Sequence, residues 1–232
     1  MPILTGIAPD PHQPGYRLVE VDRGRFASLP AEAVDWLELT VGTELAPPVL
    51  ARLRDLADVE AAQRAALRAL ARRAHARTDL QRRLTKKQHP PGAVAVALER
   101  LAGRGLLDDR RFAEQFAAVR ATRGKGPARI IRDLLAQGVE RGLAEHAVQR
   151  VLEEEGIDPL VEARAAAVKR ARQLRDLPAA VRRRRLLAFL VRRGYGGPSL
   201  RKVVEEVCRS IGTREVMNPA AWPRGRSTQG DR

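Results

Sequence analysis

The hydrophobic pattern of most of the chain is that of α-helices. Apolar residues recur at spacings of three and four, which places them on one face of a helix. One predicted helix carries Phe112, Phe116 and Val119 in this way, and Asp108 or Asp109 can cap its start. The pattern predicts a mainly helical protein.

The helical part of the chain repeats itself. Residues 80–101, 130–152 and 186–207 each predict two short apolar helices around a break, and another helix precedes each pair. A constant offset between the second and third copies aligns Ile130 with Leu186. The period is therefore about 50 to 56 residues, with three helices per copy. Self-similarity at this period predicts a stacked helical array, in which neighbouring copies share a core. The alternative is an ordinary bundle whose copies resemble one another by accident.

The first 57 residues have a different pattern. Residues 1–15 contain four prolines, which predicts a flexible leader. Two β-prone runs around a turn at 22–25 predict a hairpin, and a short helix is predicted at 31–39 that ends before Pro47 and Pro48. Because a two-stranded hairpin is marginally stable alone, we expect it to pack on its own helix or on the helices after residue 57.

These patterns predict an all-α fold: tandem three-helix repeats forming an elongated curved array, with a small N-terminal β-hairpin and helix module. The predicted parts are a flexible leader at 1–15, a small α+β module at 16–57, helical repeats at 58–107, 108–157 and 158–212, and a disordered tail at 213–232.

The charge of the chain points to a polyanionic partner. The formal net charge is +15, and all but five of the 43 basic residues are arginine, whose planar fork of donors suits phosphate. The genome's base composition is an equal explanation for the arginine bias. The net charge is −3 over residues 1–57, +7 over the first repeat, zero over the second and +9 over the third.

The predicted phosphate-binding side chains lie in the first and third repeats. On a helical wheel of the third repeat, Leu186, Leu187, Leu190 and Val191 share one arc, the arginines at 182, 185, 192 and 193 lie opposite, and Arg183 intrudes on the apolar arc. The alternative is an ordinary solvated helix face. The full predicted nucleic-acid set is Arg72, Arg73, Arg82, Arg83, Lys86, Lys87, Arg182, Arg183, Arg185, Arg192 and Arg193.

Aromatic residues are only 3% of the chain, which disfavours recognition of single strands by base stacking. We therefore expect binding through the phosphate backbone, with weak dependence on sequence and strong dependence on salt.

No catalytic, metal or cofactor site is predicted. The phosphate-binding loop of nucleotide hydrolases is absent, since Lys125 is followed by Gly126 rather than Ser or Thr. The stretch 124–127 more simply joins two helices, although Lys125 and the helix start after it offer a place for an anion. The four histidines (His12, His75, His89 and His146) are scattered and predicted to lie on the surface. Cys208, the only cysteine, is predicted to be a core residue.

The location predicted from the sequence is the cytoplasm. Residues 1–15 lack the basic and apolar regions of a signal peptide, and no run of 18 apolar residues occurs. A single cysteine suits a reducing compartment.

Several motifs resemble those of a known family. The stretch 101–116, Leu-Ala-Gly-Arg-Gly-Leu-Leu-Asp-Asp-Arg-Arg-Phe-Ala-Glu-Gln-Phe, is similar to the signature of the RecX family, regulators of the RecA recombinase. The stretch Phe189-Leu-Val-Arg-Arg-Gly-Tyr resembles another motif of the family, with Tyr195 where phenylalanine is usual. The chain departs from the family in the first repeat, where Pro90-Pro91-Gly92 replaces a clean turn, and in its long tail.

The resemblance implies a regulator, not an enzyme, that binds RecA–DNA filaments and restrains their ATPase and strand-exchange activities in recombination, DNA repair and the SOS response. It implies a curved array lying in the filament groove, and we expect a monomer that binds single- or double-stranded DNA. The neutral second repeat is predicted to contact protein through Asp108, Asp109, Arg120, Arg123, Lys125, Arg129 and Arg132.

Two other functions fit parts of the sequence. Helices around Gly138 or Gly194 are compatible with a helix-turn-helix, and hence with a sequence-specific transcription regulator. A membrane-surface protein fits least, because a basic helix with an aromatic apolar face is missing.

Overall fold

The N-terminal part of the chain forms a three-stranded antiparallel sheet followed by a helix. The computed structural model describes residues 1–216, and their side chains as far as residue 210. The strands are β1 (Leu4–Pro9), β2 (Tyr16–Val21) and β3 (Gly24–Pro30), in the order β1-β2-β3. Asp22 and Arg23 join β2 to β3 with positive φ values of 50° and 61°, as a two-residue type I′ hairpin requires. The predicted hairpin is therefore confirmed.

The prediction of a flexible leader at 1–15 is wrong, because these residues supply β1. Leu4 pairs with Val21 and Pro9 with Arg17, and the Leu4 side chain is fully buried. Proline suggested a loose segment, but Pro9 is the last residue of a strand at the sheet edge, where a missing N–H costs no ladder hydrogen bond.

The first two helices are α1 (Ala31–Trp36) and α2 (Pro47–Leu70). Pro47 and Pro48, predicted to end a helix, instead begin α2. Proline suits a helix start because its φ is already helical and its missing N–H has no partner there. The predicted boundary between residues 57 and 58 therefore falls inside one continuous helix.

The rest of the described chain is helical, which confirms the predicted fold class. The remaining helices are α3 (Arg77–Lys86), α4 (Pro91–Gly103), α5 (Asp109–Thr122), α6 (Pro127–Ala136), α7 (Arg141–Glu154), α8 (Pro159–Arg172), α9 (Ala179–Arg193) and α10 (Ser199–Val216). Residues 213–216 of the predicted disordered tail are helical, and the rest of that tail lies outside the described residues.

The chain divides into two compact units. The first contains residues 1–112 and 137–139, and the second contains 113–136 and the described residues from 140 onward. The first unit has one apolar cluster beneath the sheet, with Leu4, Leu29 and Leu53, and another among α2, α3 and α4.

The second unit has a core among α8, α9 and α10. Ala163, Ala167 and Ala171 form a fully buried stripe on α8, and their small side chains let the neighbouring helices approach closely. Leu190 packs against this stripe, and Cys208 lies in the same core, as predicted. Of the helices within residues 1–216, none has the length and apolar character needed to cross a membrane.

Candidate nucleic-acid interface

A cationic cleft lies between the end of α2 and helix α3, within the first unit. Its cavity measures about 620 Å³. The apolar lining consists of Ala65, Ala69, Leu80 and Leu84, and the cationic lining of Arg68, Arg72, Arg73, Arg83, Lys86 and Lys87. The structure thus brings five of the six predicted first-repeat residues together, adds Arg68, and leaves Arg82 exposed outside this α2–α3 cleft.

One carboxylate holds part of the α2–α3 cleft in place. Asp79 Oδ2 lies 3.0 Å from Arg83 Nε, 3.3 Å from Arg73 Nη2 and 2.7 Å from His75 Nδ1. Partial burial acts to raise the pKa of Asp79, but the hydrogen bonds from His75 and Arg83 outweigh it and lower the pKa below its ordinary value. Asp79 is therefore ionised at neutral pH and fixes these two arginines.

The other cations of the α2–α3 cleft are uncompensated. Within residues 1–210, Arg68, Arg72, Lys86 and Lys87 form no salt bridge. Six cationic groups therefore face a single carboxylate. Such an excess of one charge creates a positive potential that attracts anions.

The prediction that all four histidines lie on the surface is wrong for His75. Its side chain lies at the cleft, only 4% of its surface is exposed, and it bonds to Asp79 across one helical turn. The sequence did indicate this contact, because His75 and Asp79 are four residues apart, the spacing of neighbours on one helix face. Among the described residues no cluster of possible metal ligands occurs.

The arginines of α9 divide into exposed and buried groups. Arg183, Arg185 and Arg192 are exposed, and Arg193 is half-buried with its guanidinium 5.1 Å from the centre of the Phe189 ring. These four stay predicted phosphate contacts. Arg183 does not intrude on the core, and Val191, predicted to be apolar-facing, is 52% exposed.

The prediction that Arg182 faces away from the core is wrong. Arg182 lies one and two turns before Leu186 and Leu190 on the same buried stripe, and 7% of its surface is exposed. Its Nη1 donates to the carbonyl oxygen of Arg175 at 3.1 Å. Its guanidinium thus closes the turn after α8 and is not presented to a phosphate chain.

The two acidic residues of the second-repeat motif cap helices. Asp108 Oδ1 accepts from the backbone N–H of Arg111 at 3.0 Å and caps α5. Asp109 Oδ1 accepts from the backbone N–H of Arg77 at 2.7 Å, at the first residue of α3. The motif therefore anchors the helix that carries half of the α2–α3 cleft.

The predicted protein-binding cations of the second repeat are partly engaged within their own unit. Arg129 Nε lies 2.9 Å and Arg120 Nη1 3.5 Å from the carboxylate of Asp133. Arg120 also stacks over Phe116, 4.8 Å from the ring centre. Arg123 and Arg132 are exposed, and Lys125 is half-buried. Their role as protein contacts stays a prediction.

The start of α6 does not offer an anion site, so that part of the sequence interpretation is wrong. The backbone N–H of Gly126 donates to the carbonyl oxygen of Arg193 at 2.8 Å, and that of Ala128 to Gly194 at 3.2 Å. A Cβ atom on Gly126 would lie 2.4 Å from the carbonyl carbon of Gly194. The end of α9 thus occupies the place where an anion would bind.

A second cavity, of about 850 Å³, lies in the first unit between the β-sheet with α1 on one side and helices α2 and α4 on the other. Its lining includes Trp36, Arg52 and Gln63, none of which was predicted as a site residue. Trp36 is 74% exposed, so the described chain does present an aromatic platform despite the few aromatic residues. The sequence did contain a signal for it, a tryptophan on a short predicted helix.

Comparisons with known proteins agree with this architecture. Residues 62–101 match a family model described as RecX, first three-helix domain, and residues 108–148 match one described as RecX, second three-helix domain. The two segments fall within the first and second predicted repeats.

Several curated relatives carry the name regulatory protein RecX. The protein of Halorhodospira halophila is 43% identical over 143 residues, which cover 61% of this chain and 85% of that protein. That of Pseudomonas syringae pv. tomato is 38% identical over 136 residues, covering 58% and 84%. That of Ectopseudomonas mendocina is 46% identical over 98 residues, covering 42% and 63%.

Two solved structures share the fold. A crystal structure of regulatory protein RecX superposes with a TM-score of 0.70 at 20% identity, covering 89% of this chain and all of that one. A crystal structure of RecX from Lactobacillus salivarius superposes with a TM-score of 0.55 at 17% identity, covering 67% and 97%.

Proposed function

Because the chain belongs to the RecX family, we propose that it regulates a RecA recombinase by binding RecA–DNA filaments. Binding restrains ATP hydrolysis and strand exchange, and so limits recombination, DNA repair and the SOS response. The protein acts in the cytoplasm, as a monomer, and catalyses no reaction of its own.

The observation that carries the proposal is the α2–α3 cleft. Four cations without a salt-bridge partner in the described chain line it, and its apolar lining lacks aromatic rings. Lysine and arginine side chains bind phosphates through charge, and such contacts carry no sequence information. The expected contact is therefore to the sugar–phosphate backbone of the filament's DNA.

The exposed arginines of α9 supply a second phosphate-binding surface in the proposal. Arg183, Arg185 and Arg192 project from one helix whose other side is buried in the core. Like charges this close repel one another, and a polyanion relieves the repulsion. The electrically neutral second repeat then contacts recombinase protein through Arg123 and Arg132, which are exposed.

The direct experiment measures DNA-dependent ATP hydrolysis by a RecA filament titrated with this protein. We expect the rate to fall with dose, and to fall less with the variant Arg183→Glu/Arg185→Glu/Arg192→Glu. The matched control is Arg23→Glu/Arg25→Glu/Arg54→Glu, which reverses three exposed charges of the N-terminal module and alters the net charge equally.

An unchanged rate at saturating protein would reject the proposed function, and equal inhibition by both variants would reject the α9 surface. Competition with random duplex separates the proposal from transcription control. A filament regulator shows little discrimination between DNA sequences, whereas a sequence-specific regulator binds its own site roughly 10³-fold or more tightly.

A further inference from the structure

The 850 Å³ cavity of the first unit has the size and lining of a small-ligand site. Tyr16 lies on its sheet side, Trp36 on α1, Arg52 and Gln63 on α2, and Arg104 just after α4. None of these residues belongs to the surfaces of the proposed function. We name this the module cavity.

One wall of the module cavity contains a buried carboxylate whose two oxygens both have partners. Glu60 is 1% exposed, and its two oxygens lie 2.9 Å from Arg100 Nη1 and 3.0 Å from the Tyr16 hydroxyl. Burial raises the pKa of Tyr16 and the Glu60 carboxylate raises it further, so the hydroxyl stays protonated and donates to Glu60. These three side chains form a rigid polar wall, and their hydrogen bonds to one another are complete without a ligand.

Gln63, in contrast, lacks the hydrogen bond that a buried amide normally makes. The residue is 4% exposed and lines the cavity, and its Oε1 has no partner among the described residues. A buried carbonyl without a donor loses its hydration and gains nothing in return. A ligand that brings an N–H group to the cavity would restore the missing bond once the Gln63 side chain turns its buried amide toward the ligand.

Trp36 supplies a flat apolar surface at the rim. The indole is 74% exposed, and the guanidinium of Arg52 lies 5.7 Å from its ring centre. Because the ring is still largely open to solvent, an aromatic group can stack on it. Three cations and three carboxylates line the cavity, with Arg104 among the former and Glu32 and Asp55 among the latter.

We propose that the module cavity binds a nucleotide, with the base stacked on Trp36 and its edge paired with Gln63. An amide that accepts and donates side by side matches the N6 and N7 atoms of adenine, so adenine is the expected base. Arg104 faces the phosphate, and Glu32 or Asp55 accepts from ribose hydroxyls, as carboxylates do in other nucleotide sites. The nucleotide comes from solution or is an unpaired residue of a single strand.

Fluorescence of Trp36 tests the proposal directly. The chain has two tryptophans, so the variant Trp222→Phe leaves Trp36 as the only indole reporter. This full-length variant is titrated with AMP, with ATP and, separately, with single-stranded oligo(dA) and an abasic oligonucleotide of equal length. We expect saturable quenching by the mononucleotides and by oligo(dA), and none by the abasic strand. Quenching by oligo(dA) alone identifies the single strand as the source.

Calorimetry on variants then tests the assigned side chains. We expect Gln63→Leu to weaken AMP binding about tenfold or more, because it removes the two hydrogen bonds that the amide makes to adenine. Trp36→Ala is expected to weaken it at least as much, and its exposed position keeps the fold intact. Gln81→Leu on the exposed face of α3 is the matched control and binds as the parent does.

Three results would overturn the nucleotide site. They are no binding of any nucleotide at millimolar concentration, unchanged affinity in both Gln63→Leu and Trp36→Ala, or quenching by the abasic strand as strong as that by oligo(dA). None of these results bears on filament inhibition, which depends on the α2–α3 cleft and α9.

Discussion

At the scale of single residues, the guanidinium groups of this chain have different roles according to what surrounds them. Arg83 is tied to Asp79, Arg182 is buried beneath the α8 turn, and Arg72 is exposed without a salt bridge in the described chain. Only the last kind is available to a polyanion. Arginine therefore has structural roles at some positions of this protein and binding roles at others. The position of an arginine in the sequence does not show which role it has.

A pair of substitutions separates these roles. Arg182→Met removes a buried guanidinium whose Nε has no partner in the described chain, together with one bond to the Arg175 carbonyl. Because these two effects oppose each other, we expect the free energy of unfolding to change by no more than about 1 kcal/mol. DNA affinity should stay the same.

Arg185→Met is the matched substitution on the same helix. Its side chain is exposed, so we expect unchanged stability and weaker DNA binding by about 0.5–1 kcal/mol, typical of one exposed charge contact. Chemical denaturation and DNA-binding titrations measure both quantities. A marked loss of DNA affinity in Arg182→Met would contradict the assignment of that residue to the core.

At the scale of helices and strands, two glycines join α6 to α9. Gly194 ends α9 with φ of +92°, and a Cβ atom on it would lie 2.3 Å from the Cβ of Arg129. The backbone N–H of Gly126, just before α6, donates to the carbonyl oxygen of Arg193 at the end of α9. The two glycine motifs noted in the sequence are thus two sides of one helix contact, within the second unit. A side chain at either position would separate the backbones.

Alanine at these positions is expected to destabilise the second unit. Gly126→Ala and Gly194→Ala should each lower the free energy of unfolding by about 1–3 kcal/mol, because the new Cβ overlaps backbone or Cβ atoms at under 3 Å. Gly103→Ala is the control, since nothing lies within 4 Å of its new Cβ and its φ is not positive. That change should be neutral or stabilising by up to about 1 kcal/mol. Equal behaviour of all three in thermal unfolding would contradict the helix contact.

At the scale of the whole molecule, the charge is distributed unevenly over the two units. The net acidic residues 1–57 lie in the first unit with the α2–α3 cleft, while the arginines of α9 lie in the second. An overall charge of +15 draws the protein towards any polyanion at low salt, so affinity alone does not identify a surface. The salt dependence of binding counts the contacts that are made.

The α2–α3 cleft should account for a defined share of that dependence. We expect Arg72→Gln/Lys86→Gln/Lys87→Gln to reduce the slope of log affinity against log salt concentration by about 2 to 3, near 0.9 per lost phosphate contact. The control Arg23→Gln/Arg25→Gln/Arg54→Gln removes the same net charge from residues 1–57 and should leave the slope nearly unchanged. Equal slopes for the two variants would remove the cleft from the DNA interface.

The sequence by itself determined the helical class, the hairpin and the helix pairs of each repeat. Those features depend on local rules: the helical period of apolar residues, the caps at Asp108 and the turn at Asp22 and Arg23. The first-repeat basic cluster was predicted as well, because α3 and the end of α2 are close along the chain.

Tertiary structure alone decided which partner each of the other groups meets. Leu4–Pro9 becomes a strand only because β2 is beside it, and Arg182 is buried because the α8 turn covers the stripe on which it lies. Gly126 and Gly194 are 68 positions apart in the sequence, so no local pattern shows that their backbones touch. Long-range contacts depend on how whole helices and strands pack against one another. The spacing of residues within one helix or strand does not determine that packing.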